Sequence, residues 1–483
     1  MKKSAKNLSR RKFIGQVSCA AVGSASLFST LLNLRMASTA AAQSDPLFVD
    51  TPYRALVCLF LGGGNDSYNM LAPIDSTSYA QYADVRSDLA IPRDEFLPLT
   101  PRNNLQGRQL GLHPSMPEVR DLFQSDDVAL VTNVGTLVQP ITLQEFKNDL
   151  KPIPRGLFSH SDQVEQWQTS VPDSAANFGW GGRTADLLGS LNDNDRIAMN
   201  ISLNGTNLWQ SGERSTQYQI TPDGSISRDE YDTSPGGWNA MVGAAVDSQL
   251  DQQYANLFQQ TYSKISRDAI QTHEEFSAAT GSVTPFTATV FTDPNTDTYD
   301  EIRAINELAA YFTMVAKTIA SNGTLGLRRQ TFFIKLDGWD HHDEVIKTQG
   351  SMLKTVSRCL GYFNALMKEI QMNEQVTLFT ASDFARTLTS NGKGSDHGWG
   401  GNQIVMGGDV KGRRIFGDYP ELYADNNLDT GRGRLIPTLA VDQYFAELAT
   451  WLGVQASDLS AVLPNIERFY TPRTGAWPIG FLG

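Results

Sequence analysis

The chain contains very little cysteine and histidine. Of its 483 residues, three are cysteines and six are histidines. Cys19 falls in the N-terminal segment, which leaves Cys58 in an apolar run and Cys359 on a predicted helix. Two cysteines in such places exclude a disulfide framework as the basis of stability.

The chain also lacks an excess of positive charge and, after its N-terminal segment, any long apolar run. Its formal net charge of −12 at pH 7 argues against nucleic acid and anionic membranes as partners. No later stretch is long enough to cross a bilayer, so we expect the mature form to have no membrane anchor.

The N-terminal segment has the pattern of a twin-arginine export signal. Arg10 and Arg11 precede Lys12, an apolar region of small residues follows, and three alanines at residues 40–42 provide a cleavage site. An uncleaved anchor is the alternative, but Gly and Ser interrupt the apolar run. We therefore predict a signal peptide over residues 1–42, export by the twin-arginine translocase, and a periplasmic or secreted mature protein over residues 43–483.

The mature chain predicts an α/β domain. Strands buried on both faces of a sheet are expected at four near-continuous apolar runs, residues 54–61, 128–134, 330–336 and 376–380. Between residues 205 and 298 the sequence becomes polar and contains one long predicted helix, residues 238–278. We interpret this segment as a cap inserted into the domain.

A glycine-rich loop follows the first predicted strand. Three glycines at residues 62–64 would let the backbone approach a ligand closely, and Asp66 would then project from the carboxyl end of the strand. A phosphate-binding nucleotide loop is the alternative, but neither GxGxxG nor GxxxxGK[ST] is present.

Histidines and acids cluster after two further strands. One cluster follows residues 330–336 and the other follows residues 376–380; they contain Asp337, Asp340, His341 and His342, and Asp383, Asp396 and His397. Acids and imidazoles spaced this closely are typical of metal ligands. A polar loop that caps a helix is the alternative for the first cluster, and a solvated turn for the second.

Ser159 stands at the start of a predicted helix. It can be an N-cap, which would stabilise the helix by about 1 kcal/mol. It can also be a nucleophile whose developing charge faces the positive helix end. The residues alone leave both interpretations open.

Six motifs together resemble the family catalogued as domain of unknown function 1501. They occur in order over nearly all of the mature chain: GGGNDSYN (62–69), SHSDQVEQWQTS (159–170), GWDHH (338–342), SDFART (382–387), SDHGWGG (395–401) and GRGRLIPTLAVDQYFAELATWLG (431–453). This family is similar to the alkaline phosphatase and sulfatase superfamily. The resemblance implies a doubly wound, mostly parallel sheet in an alkaline-phosphatase-like three-layer sandwich with a helical cap insertion.

The resemblance also implies divalent metal ions, and zinc or manganese suits such donors. Ser159 would be the nucleophile, and the metal ligands would be Asp66, Asp340, His342, Asp383 and His397, with Asp337 and His341 as an alternative pair. Phe384 follows Asp383 where superfamily hydrolases commonly place a histidine, which predicts a weak or absent second metal site.

The implied function is a metal-dependent hydrolase of small phosphate or sulfate esters that uses a serine nucleophile. Arg386 would be either a catalytic residue or a structural salt-bridge partner. Substrate contacts would be made by Asn65, Asn69, His160 and Asn391. The alternative is a non-catalytic secreted protein that keeps the fold for binding or assembly.

Overall fold

Strand β1 (Arg54–Gly62) runs through the middle of a large sheet, as its apolar sequence predicts. The computed structural model describes residues 52–103, 105, 107–227, 231, 237–473 and 475–483. The predicted signal peptide, residues 1–42, lies outside the described residues. None of the described helices combines the length and the hydrophobicity needed to cross a bilayer.

The large sheet is mixed but mostly parallel. The strands are, in chain order, β1, β2 (Leu71–Pro73), β3 (Leu97–Pro98), β4 (Leu110–Leu112), β5 (Val128–Gly135), β6 (Asn200–Ser202), β7 (Tyr218–Thr221), β8 (Gly224–Ser225), β9 (Arg329–Asp337), β10 (Val376–Ser382), β11 (Arg386–Ser390), β12 (Ser395–His397), β13 (Gly401–Gly407), β14 (Ile415–Phe416) and β15 (Leu439–Ala440). The large sheet has the order β14–β5–β13–β10–β1–β9–β6–β7–β8, with β15 also on β5, and only β13 and β8 run antiparallel to their neighbours. Strands β2–β4–β3 and β11–β12 form two small sheets. The predicted α/β architecture with a large, mostly parallel sheet is confirmed.

Helices connect most of these strands. They are α1 (Ser67–Met70), α2 (Ser76–Arg86), α3 (Pro117–Gln124), α4 (Leu143–Lys147), α5 (His160–Thr169), α6 (Trp180–Leu188), α7 (Trp238–Leu250), α8 (Leu257–Gly281), α9 (Tyr299–Ala320), α10 (Val345–Glu369), α11 (Val441–Leu452) and α12 (Leu459–Val462). Short 3₁₀ turns lie at Ser87–Leu89, Gly189–Leu191, Ala456–Asp458 and Ile466–Arg468.

Two hydrophobic clusters explain why β1 is apolar along its whole length. Alternate residues of a strand point to opposite faces of a sheet. Ala55 and Val57 belong to a cluster with α9 and α10, whereas Leu56 and Phe60 belong to a second cluster with α6 and α11. Cys58 lies in the second cluster as a free, buried thiol.

The segment over residues 205–298 differs from its prediction in two respects. The single helix expected over residues 238–278 is wrong, because α7 ends at Leu250 and the side chain of Asn256 caps α8 by accepting from the N–H groups of Phe258 and Gln259. The same segment also contributes β7 and β8 to the edge of the sheet. In the C-terminal part of α8, Glu275 pairs with Arg196, a residue that precedes β6. This contact lies at the amino end of the sheet, and a covering role for the segment stays a prediction.

Asp442, in the first turn of α11, is fully buried, and burial raises the pKa of its carboxyl to about 7. Because the folded chain then binds the proton more tightly than the unfolded chain, the free energy of unfolding falls as pH rises between the two pKa values. We expect this fall between about pH 4 and pH 7, at up to about 1.4 kcal/mol per pH unit. Urea unfolding at both ends of this range should show a smaller pH difference for Asp442→Asn than for the native chain. The exposed Asp300, changed to asparagine, is the control; equal pH differences in all three proteins would contradict the prediction.

Candidate metal centre

Three neighbouring strands end side by side and carry the site. In the sheet register Gly62 of β1 lies opposite Asp337 of β9, and Leu61 lies opposite Ser382 of β10. Because parallel strands end at the same edge of a sheet, the loops that follow these three strands meet there.

Gly63 allows two of these loops to approach each other closely. Its φ is +120°, and a Cβ on it would lie 2.5 Å from the backbone nitrogen of Asp340. Its own N–H donates a hydrogen bond to Oδ1 of Asp383 at 3.0 Å. A larger residue would push the two loops apart, so this glycine positions both acids.

Arg386 and His397 lie opposite each other in the hairpin of β11 and β12. The Arg386 side chain is fully buried, and its Nη1 donates to Oδ1 of Asp340 at 2.7 Å. Its remaining nitrogens donate to the Ser395 carbonyl and hydroxyl. Of the two interpretations of Arg386, this geometry favours the structural salt-bridge partner, which orients Asp340.

Ligand atoms from four side chains come together at this edge. One ligand atom from each of His160, Asp340 and His397 lies within 4.8 Å of the other two. The Asp340 carboxylate is 3.4 Å from Nε2 of His160 and 3.4 Å from Nε2 of His397. His342 adjoins them, with its Nε2 3.0 Å from Oδ1 of Asp340 and 3.0 Å from Nε2 of His397. These four residues are called the metal-centre cluster below.

Each histidine of the metal-centre cluster has its other ring nitrogen held by an oxygen. The Nδ1 contacts are His160 to Oδ2 of Asp383 at 2.7 Å, His342 to Oδ1 of Asp396 at 3.0 Å, and His397 to the Phe158 carbonyl at 2.8 Å. An oxygen acceptor keeps the proton of a neutral ring on Nδ1 and leaves a lone pair on Nε2. This is the arrangement of histidines that bind metals.

The metal-centre cluster fits a divalent cation. The Nε2 atoms of His342 and His397 are 3.0 Å apart, and with both protons on Nδ1 neither can donate to the other. Nε2 of His160 is buried without a hydrogen-bond partner. A cation between these lone pairs and the Asp340 carboxylate would satisfy all of them. Three imidazoles with one carboxylate suit zinc or manganese.

Neighbouring groups shift the pKa values of the cluster. The hydrogen bond to Asp383 raises the pKa of His160, whereas burial lowers the pKa of His397. Burial raises the pKa of Asp340, but the hydrogen bond and charge of Arg386 outweigh this and hold it below its ordinary value. Near neutral pH, Asp340 is therefore a carboxylate and His397 a neutral imidazole.

Phe384 packs against the cluster where the superfamily resemblance places a histidine ligand. Its ring centroid is 4.8 Å from that of His160 and 4.6 Å from that of His397, and it is buried. A phenyl ring offers no ligand atom. Asp383, the predicted acid of a second site, is engaged by His160 and Gly63. The geometry therefore supports a centre for a single ion.

Ser159 immediately precedes α5 and lies between two residues that contact or form the cluster. Phe158 on one side accepts the hydrogen bond from His397, and His160 on the other is a cluster member. The Ser159 side chain makes no capping hydrogen bond, and its Oγ is 3.1 Å from Oγ of Ser161. The N-cap interpretation therefore lacks the bond on which it depends.

Asp66 does not belong to the metal-centre cluster, which corrects its assignment as a ligand. It is fully buried and forms an ion pair with Arg86 of α2, whose side chain is equally buried. Arg86 also donates to the carbonyl of Thr387 at 2.9 Å. A guanidinium held in this way neutralises the carboxylate, so Asp66 joins the first loop to β11 instead of binding a metal.

The alternative ligand pair is also placed elsewhere. Asp337 is exposed and pairs with Lys335 at 2.7 Å. His341 is buried, and burial lowers the pKa of its imidazole to about 4. Neither residue is in the metal-centre cluster.

The predicted substrate contacts have other partners. Asn65 and Asn69 are buried and hydrogen-bonded to neighbouring side chains, and Asn391 donates to Oδ1 of Asp396 at 3.2 Å. His160 is a cluster member instead of a substrate contact. The sequence offered one signal for this role, its place directly beside Ser159. Asp396 belongs to the second predicted cluster of acids and histidines, and in the structure it holds Nδ1 of His342 instead of acting as a ligand.

Replacing Asp383 with asparagine should weaken metal binding by about tenfold to a hundredfold, the usual effect of losing a partner behind a ligating histidine. The amide nitrogen of the new side chain can face Nδ1 of His160, which would move the ring proton to Nε2 and remove its lone pair. Metal titration by calorimetry measures the change. Asp162→Asn is the matched control, because this nearby acid pairs with Arg155. Native affinity in Asp383→Asn would contradict the assignment of His160 as a ligand.

Comparison with solved structures finds distant likenesses. Ps i-CgsB in complex with k-i-k-neocarrahexaose is 10% identical with a TM-score of 0.30, and the match covers 87% of this chain and 78% of that chain. BT1596, a 2-O GAG sulfatase, is 9% identical with a TM-score of 0.26, and the match covers 84% and 71% of the two chains. No curated protein matches the sequence. The interpretation of the site therefore depends on its own geometry.

A protein-family model gives a more definite result. The family described as protein of unknown function (DUF1501) matches residues 53–430. The matched region contains the whole metal-centre cluster and most of the motifs that carry the resemblance. The chain therefore belongs to the DUF1501 family.

Proposed function

We propose that the protein is a metal-dependent hydrolase of phosphate or sulfate esters, with a single metal ion and Ser159 as nucleophile. One observation carries the proposal. Three histidines, each with Nδ1 held by an oxygen, direct Nε2 toward the Asp340 carboxylate, which is 44% exposed. A divalent ion at such a place supplies positive charge for the ester oxygens on which negative charge develops.

The chain's own residues prepare the site for this chemistry. The metal-centre cluster holds the ion, and the buried Arg386 fixes the Asp340 carboxylate. Ser159 precedes the ten-residue helix α5, whose free N–H groups and positive end favour negative charge on a nucleophilic oxygen. Phe384 keeps water from one side of the His160 and His397 rings.

The proposal includes the cellular location of the protein. Export by the twin-arginine translocase, with cleavage after residue 42, would place it in the periplasm or outside the cell, where it would meet a small ester. An alkaline-phosphatase-like three-layer arrangement agrees with the two hydrophobic clusters that share β1. Residues 205–298 would form its cap.

A non-catalytic, metal-binding secreted protein is the second candidate. Phe384 favours it, because this ring replaces a ligand that superfamily hydrolases use for their second ion. Such a protein would hold one ion at the same cluster without turning over an ester.

Metal analysis and turnover of the exported, purified protein separate the two candidates. We expect a single ion per chain, and hydrolysis of an aryl phosphate or an aryl sulfate that is lost on chelation and restored by zinc or manganese. A bound ion with no turnover of either ester would favour the non-catalytic protein. A protein that binds neither zinc nor manganese would contradict both the hydrolase and the non-catalytic metal-binding candidate.

A further inference from the structure

Arg434 is a cation beside the metal-centre cluster that forms no ion pair within the described part of the chain. Its Nε donates to the carbonyl of His397 at 3.1 Å, and its guanidinium carbon lies 4.5 Å from the centroid of the Phe158 ring. No hydrogen bond to a described residue uses its two Nη nitrogens. Backbone and aromatic contacts therefore hold this side chain in place without neutralising it.

The two acids whose charge acts on Arg434, Asp396 and Asp429, are already engaged by other groups. Asp396 pairs with Arg432. Oδ1 of Asp429 accepts from the N–H groups of Gly431 and Gly433, and its Oδ2 accepts from a third backbone N–H. Arg434 therefore differs from its neighbour Arg432, whose charge is neutralised by an ion pair with Asp396.

The charges at the site favour an anionic ligand. Four carboxylates and three guanidiniums lie at or beside the histidines: Asp340, Asp383, Asp396 and Asp429, and Arg386, Arg432 and Arg434. Their charges sum to −1, so a divalent ion would leave the site with one excess positive charge. A neutral ligand could not offset that excess, whereas a tetrahedral oxyanion could.

We infer that Arg434 binds the non-reacting oxygens of an anionic ester, a phosphate or a sulfate, and so determines the substrate class of this site. The inference rests on the proposed function. A guanidinium presents its N–H groups as a planar fork that matches two oxygens of such a group. The two contacts that hold Arg434 come from His397 and Phe158, and Phe158 is the residue before Ser159. The fork is thereby fixed relative to both the metal ligand and the nucleophile.

Titration of the metal-loaded protein with inorganic phosphate and, separately, inorganic sulfate tests this role without requiring turnover. Thermal shift measures the Kd for each anion. In Arg434→Gln we expect the Kd of at least one anion to rise by about tenfold to a hundredfold, the usual effect of losing a charged hydrogen bond. The Kd of Arg434→Lys should lie between those of the native protein and Arg434→Gln, because lysine keeps the positive charge but lacks the planar fork of the guanidinium. The anion that responds more strongly identifies the group that the site accepts.

Arg54→Gln is the matched control, because Arg54 also stacks on an aromatic ring, that of Trp451, but at the amino end of β1. It should leave the Kd of both anions and the metal content unchanged. Native anion binding by Arg434→Gln with native metal content would overturn the inference and leave the hydrolase proposal standing. If Arg434→Gln weakens anion binding but the native protein hydrolyses neither aryl ester, the anion-binding role of Arg434 would be supported and the hydrolase proposal would be rejected. If Arg434→Gln does not fold, native anion binding by Arg434→Lys would overturn the inference.

Discussion

Asp340→Ala is expected to weaken metal binding by more than about a hundredfold, because it removes a ligand and not only the partner of a ligand. The Asp340 carboxylate lies within 3.4 Å of the Nε2 atoms of all three cluster histidines. Without it, the three lone pairs have no negative charge beside them to balance a cation. The buried Arg386 would then add an uncompensated positive charge and oppose a metal further.

Metal content after dialysis against a weak chelator measures this effect, and the melting temperature shows whether the variant folds. Asp337→Ala is the matched control, an acid three positions earlier that is exposed and pairs with Lys335. It should retain the metal. The reverse result, loss in Asp337→Ala and retention in Asp340→Ala, would restore the alternative ligand pair of Asp337 and His341.

Strand ends were the part of the site that the sequence could predict. The apolar runs that form β1, β9 and β10 are unambiguous because each is buried on both faces, and parallel strands bring their carboxyl ends together. This is why Asp340, His342 and His397 were expected near one another, and the structure places them within one cluster.

Partners from outside those loops could not be predicted in the same way. Asp66 has the sequence position of a ligand, but its role is decided by Arg86, a residue twenty positions later on a helix with no distinguishing pattern. His160 enters the cluster from α5, whose position depends on the packing of Trp167 into the second hydrophobic cluster and not on any local periodicity. The break between α7 and α8 depends on a single capping side chain, Asn256, within a stretch of otherwise helical composition.

On the proposed mechanism, Ser159→Ala is expected to lower ester turnover by at least about a thousandfold, as loss of the nucleophile does in hydrolases that use one. Metal content should be unchanged, because the neighbouring His160 keeps its bond to Asp383. The melting temperature should also be nearly native, because the Ser159 hydroxyl makes no capping hydrogen bond. Ser161→Ala is the matched control, since its hydroxyl lies only 3.1 Å from that of Ser159.

A trapped intermediate separates a nucleophilic Ser159 from a serine that only positions the ester. If its oxygen attacks the ester, rapid acid quenching during turnover should leave a phosphoryl or sulfuryl group on the peptide that contains Ser159, and mass spectrometry should find none in Ser159→Ala. Full turnover in the alanine variant would exclude Ser159 as the nucleophile. Ser67 could not replace it, because its side chain is buried and its Oγ accepts a hydrogen bond from the N–H of Asn402 at 2.9 Å. Turnover by the variant would then require a water molecule as the attacking group, and incorporation of ¹⁸O from labelled water into the product without a covalent intermediate would demonstrate it.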